Sequence, residues 1–253
     1  MFAGVRRLDD PGTVAGLEAE GMRPLSLDVT DAAQIRAALQ RISSESGRLD
    51  ALVNNAGVDS PGAVEDQPEH ALRSVMEVNF FGALALTRAA LPLMRQGPQG
   101  TIVMLSSLSG LIGLPGSSAY CASKFALEGA SEALRNEVGR FGIGVAIIEP
   151  GGYSSAMSGK RVLPVDYPPS SPYLPMLAQL TRAPAPEADA SPVAELILEV
   201  IESGAPDLRY PAGEQARTVV AGLAALDDQA RQRYARSITD LGWWHDGQPG
   251  SGS

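Results

Sequence analysis

The chain reads as an α/β domain built on a doubly wound parallel sheet, and three observations predict it. Short apolar runs alternate with longer segments of helical periodicity along most of the 253 residues, the mark of successive β-α units. Several runs are continuously apolar, as in Thr101-Ile102-Val103-Met104-Leu105 and Val145-Ala146-Ile147-Ile148, which suits strands buried on both faces. Polar or glycine-containing turns close these runs at their C-terminal ends, the sheet edge at which open α/β folds bind ligands.

The elements follow in order. A strand near 2–5 leads through a polar turn to a helix at about 11–20. A strand at 24–27 ends at Asp28, and a helix covers 31–46. The strand at 50–53 is closed by Asn54-Asn55-Ala56-Gly57, and a long helical pattern runs over 68–95. The strand 101–105 ends at Ser106-Ser107. A loop with three glycines and a proline (108–119) precedes a helix at 119–141, stopped by Gly142. The strand 145–148 is cut off by Glu149-Pro150-Gly151-Gly152. A helix at 192–203, a strand at 208–210 and a helix at 213–238 complete the pattern. Between residues 150 and 211 lie 11 of the 19 prolines. The part from 153 to 192, with Tyr167, Tyr173, Leu174, Met176 and Leu177, is expected to form an apolar lid over a pocket. Residues 1–242 are expected to form one domain and 243–253 a frayed tail.

Composition narrows the function. A net charge of −9 disfavours nucleic acid or an anionic membrane as partner. No apolar run reaches membrane-spanning length. The single cysteine, Cys121, rules out an internal disulfide and fits a reducing, cytoplasmic compartment. His70 and His245 are too few and too far apart for a metal site.

The chemistry centres on Tyr120 and Lys124. Only two lysines occur, Lys124 and Lys160, and one of them stands four residues after a tyrosine. On a helix, residues i and i+4 share a face. An ammonium near a phenol favours the phenolate, which lets the tyrosine exchange a proton near neutral pH. Ser107 falls at a strand end thirteen residues earlier. Asn79 is expected inside a helix, where asparagine is uncommon because its side chain competes for backbone bonds.

With Ser107, Tyr120 and Lys124 at this spacing, Asn54-Asn55-Ala56-Gly57 after a strand, Asn79 within Val78-Asn79-Phe80-Phe81-Gly82, Asp28-Val29, and Pro150-Gly151, the chain resembles the short-chain dehydrogenases/reductases from about residue 1 to 213. The stretch 110–129 is most similar to the branch acting on steroids, retinoids and related apolar carbonyls. The resemblance implies a Rossmann-type fold and hydride transfer between a nicotinamide cofactor and an apolar ketone, aldehyde or secondary alcohol. It implies Tyr120 as acid/base, Ser107 as holder of the substrate oxygen, Lys124 as modulator of Tyr120 and partner of the nicotinamide ribose, and Asn79 as positioner of a proton-relay water. Asn55, Ala56 and Gly57 would border the cofactor, Asp28 and Val29 would lie near its adenine, and Pro150, Gly151 and Ser155 would face the nicotinamide. Arg6, just past the first strand, would pair with a 2′-phosphate and favour NADP, with NAD possible. Tyr153 departs from the usual small aliphatic residue. The family commonly forms dimers or tetramers through the helices at 68–95 and 119–141.

One family feature is not found: the first strand and its glycine-rich phosphate loop. Gly12-x-x-x-Gly16 follows Asp9-Asp10-Pro11 rather than a buried strand, and Met1 to Arg7 resembles the family's second strand. The fold is therefore expected to be shortened at its N-terminus by about one β-α unit. An upstream start, a shortened form with altered cofactor binding, or another element filling the gap would each account for this. The alternative function is a non-catalytic binding or scaffold protein on the shortened fold.

Overall fold

The computed structural model describes residues 1–152, 163–182 and 189–248. Six parallel strands form two sheets. β1 (Phe2–Val5) pairs with β2 (Arg23–Ser26), and β3 (Ala51–Asn54), β4 (Gly100–Leu105), β5 (Ile143–Pro150) and β6 (Arg209–Ala212) pair in that order. The helices between them are α1 (Pro11–Ala19), α2 (Ala32–Ser46), α3 (Glu69–Met76), α4 (Ala83–Met94), α5 (Ser118–Val138), α6 (Leu174–Arg182), α7 (Ser191–Ser203), α8 (Gly213–Ala224), α9 (Asp228–Ile238) and α10 (Gly242–His245).

The continuous apolar strands are buried on both faces, and their period of two sorts the core. Ile102, Met104 and Val145 pack with Leu86, Ala90 and Met94 of α4 and with Leu127 and Leu134 of α5. Val103, Leu105, Ala146 and Ile148 turn to the other face, against Val193 and Val200 of α7. All six residues of β4 are buried, so this strand is the spine of the molecule. Its C-terminal end leads to Ser107.

The sheet divides between β1 and β3, where the phosphate-loop unit is expected. A cavity of about 180 Å³ occupies the division, lined in part by Gly4, Leu27, Val29, Val53, Asn55 and Ala56. The Val53 side chain is 37% exposed there although it sits in a strand. Glycine is the residue that fits at position 4, because a Cβ would lie 2.6 Å from Leu27 Cδ2. Gly12 and Gly16 lie within α1, which Asp10 caps by accepting from the Gly12 amide at 3.1 Å.

Several elements differ from the sequence reading, and one, α6, is a helix within the stretch read as a proline-rich lid. The helix expected over 68–95 is interrupted by a π-helical segment, Glu77–Gly82, with Asn79 inside it. Gly82 there rests on Val29, where a Cβ would come within 2.7 Å of Val29 Cγ2. The helix expected over 213–238 breaks into α8 and α9, because Asp227 caps a new helix by accepting from the Ala230 amide at 2.7 Å. The tail expected at 243–253 is not wholly frayed: Trp243 and Trp244 pack with Tyr167, Tyr173, Met176, Leu177 and Leu241, since two indoles bury more apolar area than a loose end would give up. Residues 249–253 lie outside the described residues. Among the described residues no helix is long and apolar enough to cross a membrane.

A two-stranded sheet is marginal alone. Amides of Phe2–Val5 are therefore expected to exchange with deuterium about tenfold or more faster than those of Ile102–Leu105, read by peptide-level hydrogen exchange. Equal protection would show that the two sheets open as one unit.

Candidate active site

The site forms where β3, β4, the π-helical segment and the first turns of α5 meet. Lys124 is buried, and its Nζ donates to the Leu105 carbonyl at the end of β4 at 2.6 Å. The same Nζ lies 5.5 Å from the centre of the Tyr120 ring. The i, i+4 pairing read from the sequence is thus a real juxtaposition. Burial pulls the Lys124 ammonium down to about 8, and the Glu128 carboxylate one turn on works against that fall. Lys124 therefore keeps its charge at neutral pH and loses it in the mildly basic range.

Asn79 is buried and fully engaged. Its Oδ1 accepts from the Val58 amide at 2.8 Å, and its Nδ2 donates to the Val58 carbonyl at 2.9 Å and to Ser123 Oγ at 3.0 Å. Ser123 Oγ in turn donates to the Tyr120 carbonyl at 2.7 Å. Asn79 thereby ties the loop after β3 to the turn of α5 that bears Tyr120. A π-helical turn is costly and concentrates at functional positions, and here it carries the asparagine. Gly57 completes the contact: a Cβ on it would lie 3.6 Å from Asn79 Oδ1 and 4.0 Å from Lys124 Nζ.

Ser107 leaves β4 in extended conformation, and its Oγ accepts from the Ser109 amide at 3.1 Å. The turn after it presses on α5 at Gly110, where a Cβ would lie 2.7 Å from Ser106 Oγ and 3.2 Å from the Lys124 carbonyl. Cys121 is buried and its Sγ accepts from the Leu114 amide at 3.4 Å. Burial pushes its thiol up, away from nucleophilic use.

The other candidate residues fall into two groups. Val29, Asn55 and Ala56 line the cavity between the sheets. Asp28 sits nearby with its carboxylate held low by hydrogen bonds from Thr30, the Arg6 charge adding to this, so Arg6 and Asp28 share one end of the site. Pro150 and Gly151 lie at the other end, with Gly151 backed by Gln215, whose Oε1 also accepts from the Gly152 amide at 3.3 Å. Ser155 and Tyr153 lie outside the described residues. Residues 163–182, within the segment expected to form a lid, are anchored. Tyr167 Oη accepts from the Ala63 amide at 3.2 Å, and Leu177 and Leu180 cover Gly116. An open cleft of about 430 Å³ borders the same 113–116 loop beside Leu114, Cys121 and Ala235. Among the described residues no histidine, cysteine and carboxylate cluster could hold a metal.

The model of the family described as short chain dehydrogenase matches residues 3–164. The chain belongs to this family. The 3-ketodihydrosphingosine reductase of Bacteroides thetaiotaomicron is 42% identical over 140 residues, 55% of this chain and 52% of that protein; the matched stretch thus spans about half of that relative. Retinol dehydrogenase 8 of Bos taurus is 35% identical over 245 residues, 90% of this chain and 76% of that protein. A short chain dehydrogenase from Burkholderia cenocepacia, solved in complex with NADP, superposes with a TM-score of 0.71 at 26% identity, over 92% of this chain and 85% of that one. Short-chain dehydrogenases are oxidoreductases, and the Rossmann-like parallel sheet with helices expected from the sequence is found.

Sequence reasoning missed a neighbouring group of charges. Glu128, one turn past Lys124 on α5, meets Arg209, which also pairs with Glu149. One signal was legible: Tyr120, Lys124, Glu128 and Glu132 recur at every fourth residue.

Replacing Asn79 by alanine leaves the Val58 amide and carbonyl without partners. A loss of about 1–3 kcal/mol of stability is expected, measured by urea unfolding of the variant and wild type.

Proposed function

We propose that the protein is an NADP-preferring carbonyl reductase or alcohol dehydrogenase acting on an apolar ketone, aldehyde or secondary alcohol. The Tyr120–Lys124 pair, held against the end of β4 and tied to Asn79, is the observation that carries this reading. Burying a charge costs free energy, and setting this ammonium 5.5 Å from a tyrosine ring supports a part in proton exchange beyond its anchoring of α5.

The residues present fit a nicotinamide dinucleotide at both ends. Gly57 offers backbone without a side chain next to Asn79 and Lys124, which suits close approach of a ribose. Arg6 and Asp28 share the other end, with a guanidinium suited to a 2′-phosphate. The cavity between the sheets, bordered by Asn55 and Ala56, lies along the middle. When bound, the cofactor supplies or accepts the hydride at the substrate carbon. The protein's part is the oxygen. Ser107 donates a hydrogen bond to it as charge develops, and Tyr120 delivers its proton in reduction or takes one in oxidation. The Lys124 charge favours the phenolate form and so eases that exchange.

The lid and its aromatic cluster support an apolar substrate, as do the retinoid and sphingoid names among the relatives. Phe81 and Phe125 are 51% and 46% exposed on the two helical segments expected to pair between subunits, which supports a homodimer or homotetramer. The single buried cysteine is in keeping with a cytoplasmic setting.

Tyr120→Phe is expected to lower kcat by about 10²–10⁴-fold with an apolar carbonyl and NADPH. Turnover equal to wild type would sink the assignment. Arg6→Glu should lower the ratio of kcat/KM with NADPH to that with NADH about tenfold or more, the size of one lost charged hydrogen bond. An unchanged ratio would remove Arg6 from cofactor choice.

A further inference from the structure

Beyond the catalytic residues, α5 continues its four-residue stripe into a cluster of buried charge. Glu128, one turn past Lys124, is buried, and its Oε2 accepts from Arg209 Nε at 3.0 Å. Glu132, a further turn on and exposed, takes Arg209 Nη2 at 2.5 Å. From the end of β5, Glu149 reaches the same guanidinium, its Oε1 3.4 Å from Arg209 Nε. Glu149 is completely buried, and neither of its carboxylate oxygens accepts a hydrogen bond among the described residues. The Ser106 side chain, at the end of β4, lies beside Gly110 together with Glu128 Cγ. The charged side chains of the cluster are thus Glu128 and Glu132 from α5, Glu149 from β5 and Arg209 from β6, and Glu128, one turn past Lys124, is the one whose charge acts on it.

One guanidinium cannot serve two buried carboxylates equally. Two carboxylates in one site do not both ionise readily. Desolvation, with the Glu128 charge adding to it and the Arg209 charge opposing it, raises Glu149 to about 7. Desolvation also raises Glu128, with Arg209 working against it. Below about 7 the cluster therefore holds a proton on Glu149. Above about 7 that proton leaves and the cluster gains a negative charge, just before Lys124, at about 8, begins to lose its own charge.

We infer that Glu128, with Glu149 and Arg209, is a positioning unit for Lys124: the charge of this buried cluster sets how firmly Lys124 keeps its proton beside Tyr120. The unit acts through Lys124 and touches neither substrate nor cofactor. It deepens the reductase reading and rests on it for its catalytic consequence, but the coupling to Lys124 is measurable without turnover. The sign is fixed. Each negative charge near Lys124 favours the ammonium, so removing one lowers the pH at which Lys124 discharges. A merely structural clamp between α5, β5 and β6 would leave that pH where it is.

The chain holds only two lysines, so the full-length protein labelled with [13Cε]lysine gives few NMR signals, and a Lys160→Arg variant assigns them. The Lys124 titration midpoint is expected to fall by about one pH unit in Glu128→Gln and by less in Glu149→Gln. It should stay unchanged in Glu137→Gln, an exposed change on the same helix. Circular dichroism confirms folding, and Glu149→Gln, isosteric and uncharged, stands in if Glu128→Gln unfolds. In turnover with NADPH, the basic limb of the kcat profile should move to lower pH with the NMR midpoint, at nearly constant KM. An unmoved Lys124 midpoint in both variants overturns the inference, with or without activity. A moved midpoint in a protein that reduces no carbonyl upholds the coupling and defeats the reductase reading instead.

Discussion

A buried ammonium is the constraint around which this molecule is arranged. Lys124 has little water to solvate it, so its charge must be met by protein, and the nearest acceptor is the Leu105 carbonyl at the last residue of β4. That bond seats the first turns of α5 over the C-terminal end of the central strand. Once α5 is seated, Tyr120 falls beside the ammonium and the Ser107 turn is pressed between strand and helix. Gly110 is then the residue whose lack of a side chain permits the close approach. Removing the lysine would take away more than a proton-tuning charge, because the helix would lose its polar anchor to the sheet.

The second organising feature is the division of the sheet. β3 to β6 share a core on both faces, whereas β1 and β2 rest mainly on Leu25, Ala38, Ile42 and Leu93. The residues that border the division include Asn55, Ala56 and Val29, which the family resemblance places around the cofactor, together with Gly4. On the proposed reading, the nicotinamide end of the site would stand on the stronger sheet, and the adenine end, with Arg6 and Asp28, on the weaker one. Binding a ligand across both would tie two units of unequal stability together, and it would stabilise the fold by mass action.

Much of this was legible in the sequence. The buried strands, the Tyr120–Lys124 spacing and the unusual asparagine at position 79 each carried a local physical signal, and the structure sets them side by side. The π-helical turn was not legible, because a helix with one extra residue per turn leaves the apolar periodicity nearly intact over six residues. The break between α8 and α9 was missed because Asp227 looked like one more polar position on a surface helix. Trp243 and Trp244 were read as tail residues because their partners, Tyr173 and Leu177, lie some seventy residues earlier in the chain. The carboxylate cluster was hidden for the same reason: Glu128 is one turn from Lys124, but Glu149 and Arg209 come from separate strands. Long-range charge pairing leaves no periodic trace.

The aromatic cluster around Trp243 and Trp244 has an optical consequence. The chain contains two tryptophans, and both lie in the one layer formed by α10, α6 and the segment around Tyr167. Their rings meet edge to face at 5.7 Å, and Trp244 lies 6.0 Å from Tyr173. Near-ultraviolet emission excited at the indoles is therefore a local gauge of that layer alone. The sheet, the buried lysine and the division between β1 and β3 are all silent to it.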